Sequence, residues 1–129
     1  MTPEIAAKIY AIAMIPPVVL QIALIFGAPW GHLTMGGKFP GVLPLRVRWI
    51  AALQIAVQVT MTLVVWQAAG LQLLAISNLT FPDWAIWIVL VLAVLSCIGN
   101  WATPSRMERY LWGPTTLVLL GCVIGVIVL

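Results

Sequence analysis

The sequence predicts an all-α integral membrane protein, built as a bundle of four transmembrane helices. Hydrophobic residues make up 64% of the 129 residues and charged residues 7%, and the mean hydropathy is +1.15. A water-soluble domain of this size would need far more polar surface. Four long apolar segments are separated by stretches rich in glycine, proline or charge. We therefore expect a single transmembrane domain over residues 1–129.

The first helix is predicted over residues 3–26. Thr2 is a suitable N-cap, and a proline follows it at the first helical position. Pro16 and Pro17 are expected to bend the helix near its middle. Residues 27–45 read GAPWGHLTMGGKFPGVLPL and are too rich in glycine and proline to continue a helix. They are predicted to form the longest irregular segment of the chain.

Three further helices are predicted, over residues 46–69, 81–101 and 106–129. The second has about 24 residues, and at about 1.5 Å per residue it exceeds the roughly 30 Å hydrocarbon thickness of a bilayer. Thr80 and Asp83 have the spacing of a capping box and predict the start of the third helix. Ser105 and Glu108 repeat that spacing and predict the start of the fourth.

Charges and tryptophans predict the orientation in the membrane. Basic residues follow the first and third helices, whereas the opposite side has only Lys8. Because loops rich in Lys and Arg remain in the cytoplasm, both termini are expected on the non-cytoplasmic side of a bacterial inner (plasma) membrane. The tryptophans fall into an inner belt and an outer belt, namely Trp30, Trp49, Trp101 and Trp112 against Trp66, Trp84 and Trp87.

Polar side chains within the predicted spans indicate one candidate binding site. No ionisable residue of the Asp, Glu, Lys, Arg or His type lies in the middle of a span, which argues against an active transporter. By helix rise, one layer near the cytoplasmic boundary receives a polar side chain from each of the four helices: Gln21, Gln54, Ser96 and Thr115. Gln58 is expected about one turn deeper, and Thr116 is a further polar candidate. These side chains predict either a vestibule that opens to the cytoplasm or hydrogen bonds between helices, and the sequence favours the hydrogen bonds.

Such a vestibule is expected to have a largely basic mouth. Its residues are His32, Lys38, Arg46, Arg48, Asn100, Arg106, Glu108 and Arg109. An anion or an anionic lipid headgroup would suit this set. Topology alone also explains the arginines, as side chains that face headgroups and water, and the sequence favours this explanation. Since His32 is the only histidine, no metal site, cofactor or catalytic residue is expected.

Small residues in the last span indicate a helix contact. Gly121 and Gly125 form a Gly-x-x-x-Gly pattern, which lets two helix backbones approach closely. The contact is expected either within the bundle or between subunits. Cys97 and Cys122 lie at different depths in apolar segments, so they are interpreted as small buried residues without a disulfide.

Motifs in the two predicted cytoplasmic loops carry a family resemblance. Residues 27–31 read Gly-Ala-Pro-Trp-Gly, residues 36–37 Gly-Gly, and residues 43–46 Leu-Pro-Leu-Arg, while residues 105–114 fit Ser-Arg-x-Glu-Arg-x-x-Trp-x-Pro. With these motifs the chain resembles a group of small four-helix bacterial membrane proteins. The resemblance implies a shared fold and an important first loop, and it implies no activity. Small multidrug exporters, by contrast, carry an essential glutamate in the first helix, which this chain lacks between residues 9 and 26.

The sequence favours a non-enzymatic role in assembly or binding, as an accessory subunit within the membrane. Spans without buried charge offer surfaces rather than chemistry, so the expected partners are the lipid bilayer, further copies of the chain or other membrane subunits. Nucleic-acid binding is not expected, because the net charge of +3 is spread over short loops. A first alternative is a passive channel or facilitator for a small solute along the glutamines. A second is an enzyme that acts on a lipid or quinone near the cytoplasmic face, with His32 and the arginines as its site.

Overall fold

The computed structural model describes residues 1–71 and 80–129, and the regular structure in these ranges is helical. It has four long helices: α1 (Pro3–Ile25), α2 (Leu45–Ala68), α3 (Ala85–Ala102) and α4 (Arg106–Val128). Each of them is long and apolar enough to cross a membrane. The all-helical, four-helix part of the prediction is therefore confirmed.

Three of the helices begin and end within one residue of their predicted bounds. Hydroxyl groups cap two of them as expected. The Oγ1 atom of Thr2 accepts a hydrogen bond from the Ile5 N–H at 3.3 Å, and the Oγ atom of Ser105 accepts one from the Glu108 N–H at 3.3 Å. These caps satisfy N–H groups that have no partner within the helix.

The predicted start of the third helix is wrong, because α3 begins four residues later and Thr80 and Asp83 do not cap it. The cause is Gln67, near the end of α2. Its Nε2 atom donates to the Phe81 carbonyl oxygen at 2.9 Å, and its Oε1 atom accepts from the Phe81 N–H at 2.8 Å. Pro82 also favours an extended backbone at the residue before it. Phe81 is thereby held outside the helix.

The helices follow the order α2, α1, α4, α3 around the bundle. Helix α1 packs closely against α2 and α4, and α4 packs against α3. Helices α2 and α3 have much less contact with each other. We call the end with both chain termini the terminal end, and the end with residues 26–44 and 103–105 the loop end. The hydrogen bonds between Gln67 and Phe81 join α2 to the segment before α3 at the terminal end.

Buried apolar side chains form two clusters. The larger lies toward the terminal end and contains Ala6, Ala7, Tyr10, Met14, Val64, Val65, Ala69, Val89, Ala93, Leu119, Cys122, Val123 and Val126. The smaller lies at the loop end and contains Leu20, Leu24, Leu43, Val47 and Trp112. The outer surface is also apolar on every helix, with exposed side chains such as Ile15, Leu53, Leu95 and Leu117.

The two glycines of the Gly-x-x-x-Gly pattern have different surroundings. A Cβ atom added to Gly125 would lie 3.5 Å from the Cβ atom of Ala6, so Gly125 belongs to the contact between α1 and α4. A Cβ atom added to Gly121 would meet nothing within 4 Å. Gly121 is exposed on the outer face of α4.

We predict that Gln67→Leu lowers the free energy of unfolding by about 1–3 kcal/mol, because the N–H and C=O groups of Phe81 lose their partner. The measurement is a dodecyl sulfate titration of the protein in mixed micelles, followed by circular dichroism. Gln54→Leu is the matched control, since Gln54 makes no hydrogen bond to a described residue. Equal unfolding midpoints for the two variants would contradict the assigned role of Gln67.

Candidate functional site

A cavity of about 670 Å³ lies between the two apolar clusters. Small-molecule sites in proteins have volumes of roughly 300–1,000 Å³, so this cavity has the size of a ligand site. All four helices and the first loop contribute to its walls. Its polar lining consists of Tyr10, Gln21, Thr34, Gln54, Gln58, Ser96, Asn100, Thr103, Glu108, Thr115 and Thr116.

The cavity opens sideways between α2 and α3. Several of its lining residues on these two helices are exposed, namely Gln54 and Val57 on α2 and Leu92, Leu95, Ser96 and Gly99 on α3. The opposite wall contains buried residues of α1 and α4, such as Gln21 and Thr116. The opening therefore lies in the apolar outer surface, where α2 and α3 have little contact.

The first loop closes the cavity at the loop end. It contains two short 3₁₀ turns, at Gly31–Leu33 and Met35–Gly37, and residues 33–36 face the cavity. The indole Nε1–H of Trp112 donates to the Leu33 carbonyl oxygen at 2.8 Å. The irregular segment predicted from the sequence is thus docked on α4.

Close backbone contacts shape this loop. The Gly31 N–H donates to the Gly41 carbonyl oxygen at 2.8 Å. A Cβ atom at Gly31 would overlap the carbonyl oxygens of Phe39 and Gly41, so only glycine fits there. The guanidinium Nε–H of Arg48 donates to the Leu43 carbonyl oxygen at 3.0 Å and holds the end of the loop against α2.

Three buried polar atoms at the cavity have no hydrogen-bond partner in residues 1–71 and 80–129: the Tyr10 hydroxyl oxygen and the Oε1 atoms of Gln21 and Gln58. Tyr10 is fully buried, and Gln21 is 6% exposed. A buried polar group without a partner costs about 1–3 kcal/mol. The interhelical hydrogen bonds favoured by the sequence for Gln21, Gln54 and Gln58 do not occur between described residues. These side chains can therefore bind a molecule in the cavity.

Glu108 is a buried carboxylate at the loop end of the cavity. Its side chain is 8% exposed, and its Oε2 atom accepts a hydrogen bond from Thr103 Oγ1 at 3.2 Å. Thr103 Oγ1 in turn accepts one from the Ser105 N–H at 3.3 Å. Thr103 thus bridges the two groups that bond directly in an ordinary capping box. Glu108 forms no ion pair with any residue that the structure describes.

The structure brings part of the predicted site together. Gln21, Gln54, Gln58, Asn100 and Glu108 line one cavity, with Ser96, Thr115 and Thr116 beside them. The basic residues of the expected mouth do not line it, namely His32, Lys38, Arg46, Arg48, Arg106 and Arg109. They lie around the loop end, and His32, Arg46 and Arg106 are exposed. The cavity lining therefore does not match the expected basic mouth.

Sequence reasoning missed three of the polar lining residues: Tyr10, Thr34 and Thr103. Tyr10 had a usable signal, because Tyr10, Met14, Pro17 and Gln21 recur at the spacing of one helix face. Thr34 and Thr103 lie outside the helices, where periodicity carries no information about position. Their placement depends on how the two loops dock.

The described residues give little basis for a metal site, a disulfide or catalysis by His32. Within residues 1–71 and 80–129, no group of three or more His, Cys, Asp or Glu side chains is arranged to hold a metal ion. Cys97 and Cys122 are buried free thiols. The imidazole of His32 lies outside the cavity, and the contact of this residue with α4 is through its carbonyl oxygen, which accepts from Ser105 Oγ at 3.4 Å.

Comparison with known protein families, with curated proteins and with solved structures finds no match for the chain. The fold and the cavity define its class, a four-helix protein with helices of membrane-spanning length and a cavity, partly lined by polar side chains, that opens at the side. The resemblance seen in the loop motifs stays a prediction. The geometry of the cavity is therefore the basis for a proposed function.

We predict that Trp112→Phe loosens the first loop, because the phenyl ring keeps the apolar packing and loses the hydrogen bond to Leu33. Amide hydrogen exchange over residues 31–43 should become about two- to tenfold faster, which corresponds to the loss of one hydrogen bond of roughly 0.5–1.5 kcal/mol. Trp49→Phe is the matched control, since Trp49 is 72% exposed. The same exchange rates in both variants would show that the indole does not hold the loop.

Proposed function

We propose that the chain is a multi-pass membrane protein that binds a small amphipathic molecule, which enters the cavity from the lipid bilayer. The observation that carries this proposal is a cavity of mixed polar and apolar lining, with buried unpartnered groups, that opens sideways on an apolar surface. Ligand binding is one of the two non-enzymatic roles, assembly or binding, that the sequence favours.

The outer surface supports insertion in a membrane. Large apolar side chains are exposed on all four helices, and a soluble monomer rarely exposes a continuous apolar surface of this extent. The helices have 18 to 24 residues, which gives lengths of about 27–36 Å against a hydrocarbon thickness of roughly 30 Å. The bundle thus fits a bilayer in both length and surface.

The distribution of charge supports one orientation. Five of the six basic residues are at the loop end, namely Lys38, Arg46, Arg48, Arg106 and Arg109. The terminal end has Lys8 together with the acidic Glu4 and Asp83. By the positive-inside rule the loop end is cytoplasmic, and both termini lie outside. The plasma membrane of a bacterium remains our expectation for its location.

An amphipathic ligand matches both parts of the cavity. Gln21, Thr116 and Glu108 give the interior buried polar groups. Val57, Leu92 and Leu95 give the opening toward lipid an apolar rim, next to the exposed Gln54 and Ser96. A polar headgroup in the interior would meet buried atoms that otherwise have no partner. Its apolar tail would leave through the opening, between α2 and α3, and remain in hydrocarbon.

The other functions have less support. For a passive channel, the path from the cavity to the terminal end is filled by buried side chains of the larger cluster, among them Met14, Val65 and Val123. For an enzyme acting at His32 and the arginines, those side chains lie outside the cavity. An accessory role in a complex is compatible with ligand binding, and Gly121 leaves room for another helix on α4.

We predict that Gly99→Phe reduces binding of an amphipathic probe at least about tenfold. Gly99 lines the cavity, and a Cβ atom there meets nothing within 4 Å, so a larger side chain can start at this position and is expected to obstruct the opening. The probe is tritiated hexadecan-1-ol, and binding to bead-immobilised protein in detergent is measured by scintillation proximity. Tenfold corresponds to about 1.4 kcal/mol of binding free energy.

Gly121→Phe is the matched control, because it makes the same change at an equally open glycine that does not line the cavity. It should bind as the unchanged protein does, with saturation near one probe per chain. The proposal fails if the probe does not saturate. It also fails if Gly99→Phe and Gly121→Phe bind equally well.

A further inference from the structure

The charges of the molecule are sorted between the cavity and the surface. All six basic and three acidic residues lie within residues 1–71 and 80–129. Of these nine, Glu108 alone lines the cavity, and no Lys, Arg or His does. Arg106 and Arg109 lie on the same turn of α4 and make no ion pair with it. A buried carboxylate without a cation is costly, so the cavity favours a positive charge near Glu108.

Three threonine hydroxyl groups of the cavity lining present acceptors rather than donors. Thr115 and Thr116 donate their hydroxyl protons to backbone carbonyl oxygens of α4, at distances from 2.8 to 3.0 Å. Thr103 donates its proton to Glu108 itself. A hydroxyl group has one proton and two lone pairs, so these three groups can accept further hydrogen bonds but cannot donate another.

The amide groups complete the lining. The Oε1 atoms of Gln21 and Gln58 are buried acceptors without a described partner. Each glutamine amide also carries donors, so the amides alone would suit many polar headgroups. The Tyr10 hydroxyl, also without a described partner, can donate as well as accept. The negative charge of Glu108 therefore decides the balance, and it favours a cation that donates hydrogen bonds.

We infer that the cavity selects a protonated amine attached to an apolar tail, with Glu108 as its counter-ion. The inference rests on the proposed function and names the chemical class of the ligand. An ammonium group carries a positive charge and three N–H donors and has no acceptor. It therefore matches a buried carboxylate that lacks a cation better than an alcohol or an anionic headgroup does. Hydrogen bonds to charged groups are stronger than those between neutral groups.

The test compares three probes of the same chain length on the unchanged protein, again by scintillation proximity in neutral detergent at pH 7. Hexadecylammonium has charge and N–H donors, hexadecyltrimethylammonium has charge alone, and hexadecan-1-ol is neutral. We expect hexadecylammonium to bind about ten- to a hundredfold more tightly than the alcohol. The quaternary probe should fall between them.

Two variants test the role of Glu108. Glu108→Gln removes the charge and keeps the shape, and it should reduce hexadecylammonium affinity at least about tenfold more than it reduces hexadecan-1-ol affinity. Glu4→Gln is the control, because it removes an exposed carboxylate at the terminal end. It should leave the affinities of all three probes unchanged.

The outcomes separate the two proposals. Saturable binding of all probes with equal affinity, unaffected by Glu108→Gln, would overturn the amine inference and leave the proposed function standing. Saturable binding of none of them would overturn both. Equal affinity for the primary and quaternary probes would overturn the inference that N–H donors are recognised. The probe comparison needs no variant, so the inference stays testable even if Glu108→Gln does not fold.

Discussion

The loop end of the structure depends on the hydrogen bond from the Trp112 indole to the Leu33 carbonyl oxygen. Trp112 also belongs to the apolar cluster formed with Leu20, Leu24, Leu43 and Val47, so one side chain joins α4 to the loop and to the core. Helices α2 and α3 leave this end of the bundle open between them. The docked loop closes part of that gap and gives the cavity a wall, which four straight helices alone would not provide.

The pairing of the helices places the opening of the bundle. Only Thr103, Pro104 and Ser105 join α3 to α4, and those helices are in close contact. Helix α2 packs against α1 instead and has little contact with α3. Gln67 ties α2 to Phe81 at the terminal end, and no such hydrogen bond between described residues joins α2 to α3 at the loop end. The side opening thus lies between the two neighbouring helices that pack least against each other.

The sequence predicted the fold more completely than the site. Hydropathy and caps located the helices, because burial in lipid requires long apolar helices and each N-terminus needs a polar cap. The prediction of where α3 begins was wrong at a residue, Phe81, whose hydrogen-bond partner is Gln67, 14 positions away. Local sequence patterns cannot reveal a partner at that separation.

Helix rise placed Gln21 and Gln54 at one depth and Gln58 about one turn deeper, and the structure gathers all three at one cavity. Depth alone could not predict that Glu108 lines the cavity and the arginines do not, since all of them lie at the loop end. Their separation depends on side-chain direction and loop docking.

The separation of charge bears on how a cationic ligand would reach Glu108. With five basic residues and Glu108 at the loop end, that end has a net charge of +4. Because exposed like charges repel over about 8–10 Å at ordinary ionic strength, a cation that approaches from the aqueous side meets an unfavourable potential. The opening between α2 and α3 lies in the apolar outer surface, and none of the five basic side chains lines the cavity. An amine held at the bilayer interface by its tail could enter there. The basic residues of the loop end and the side opening together therefore favour access from lipid over access from water.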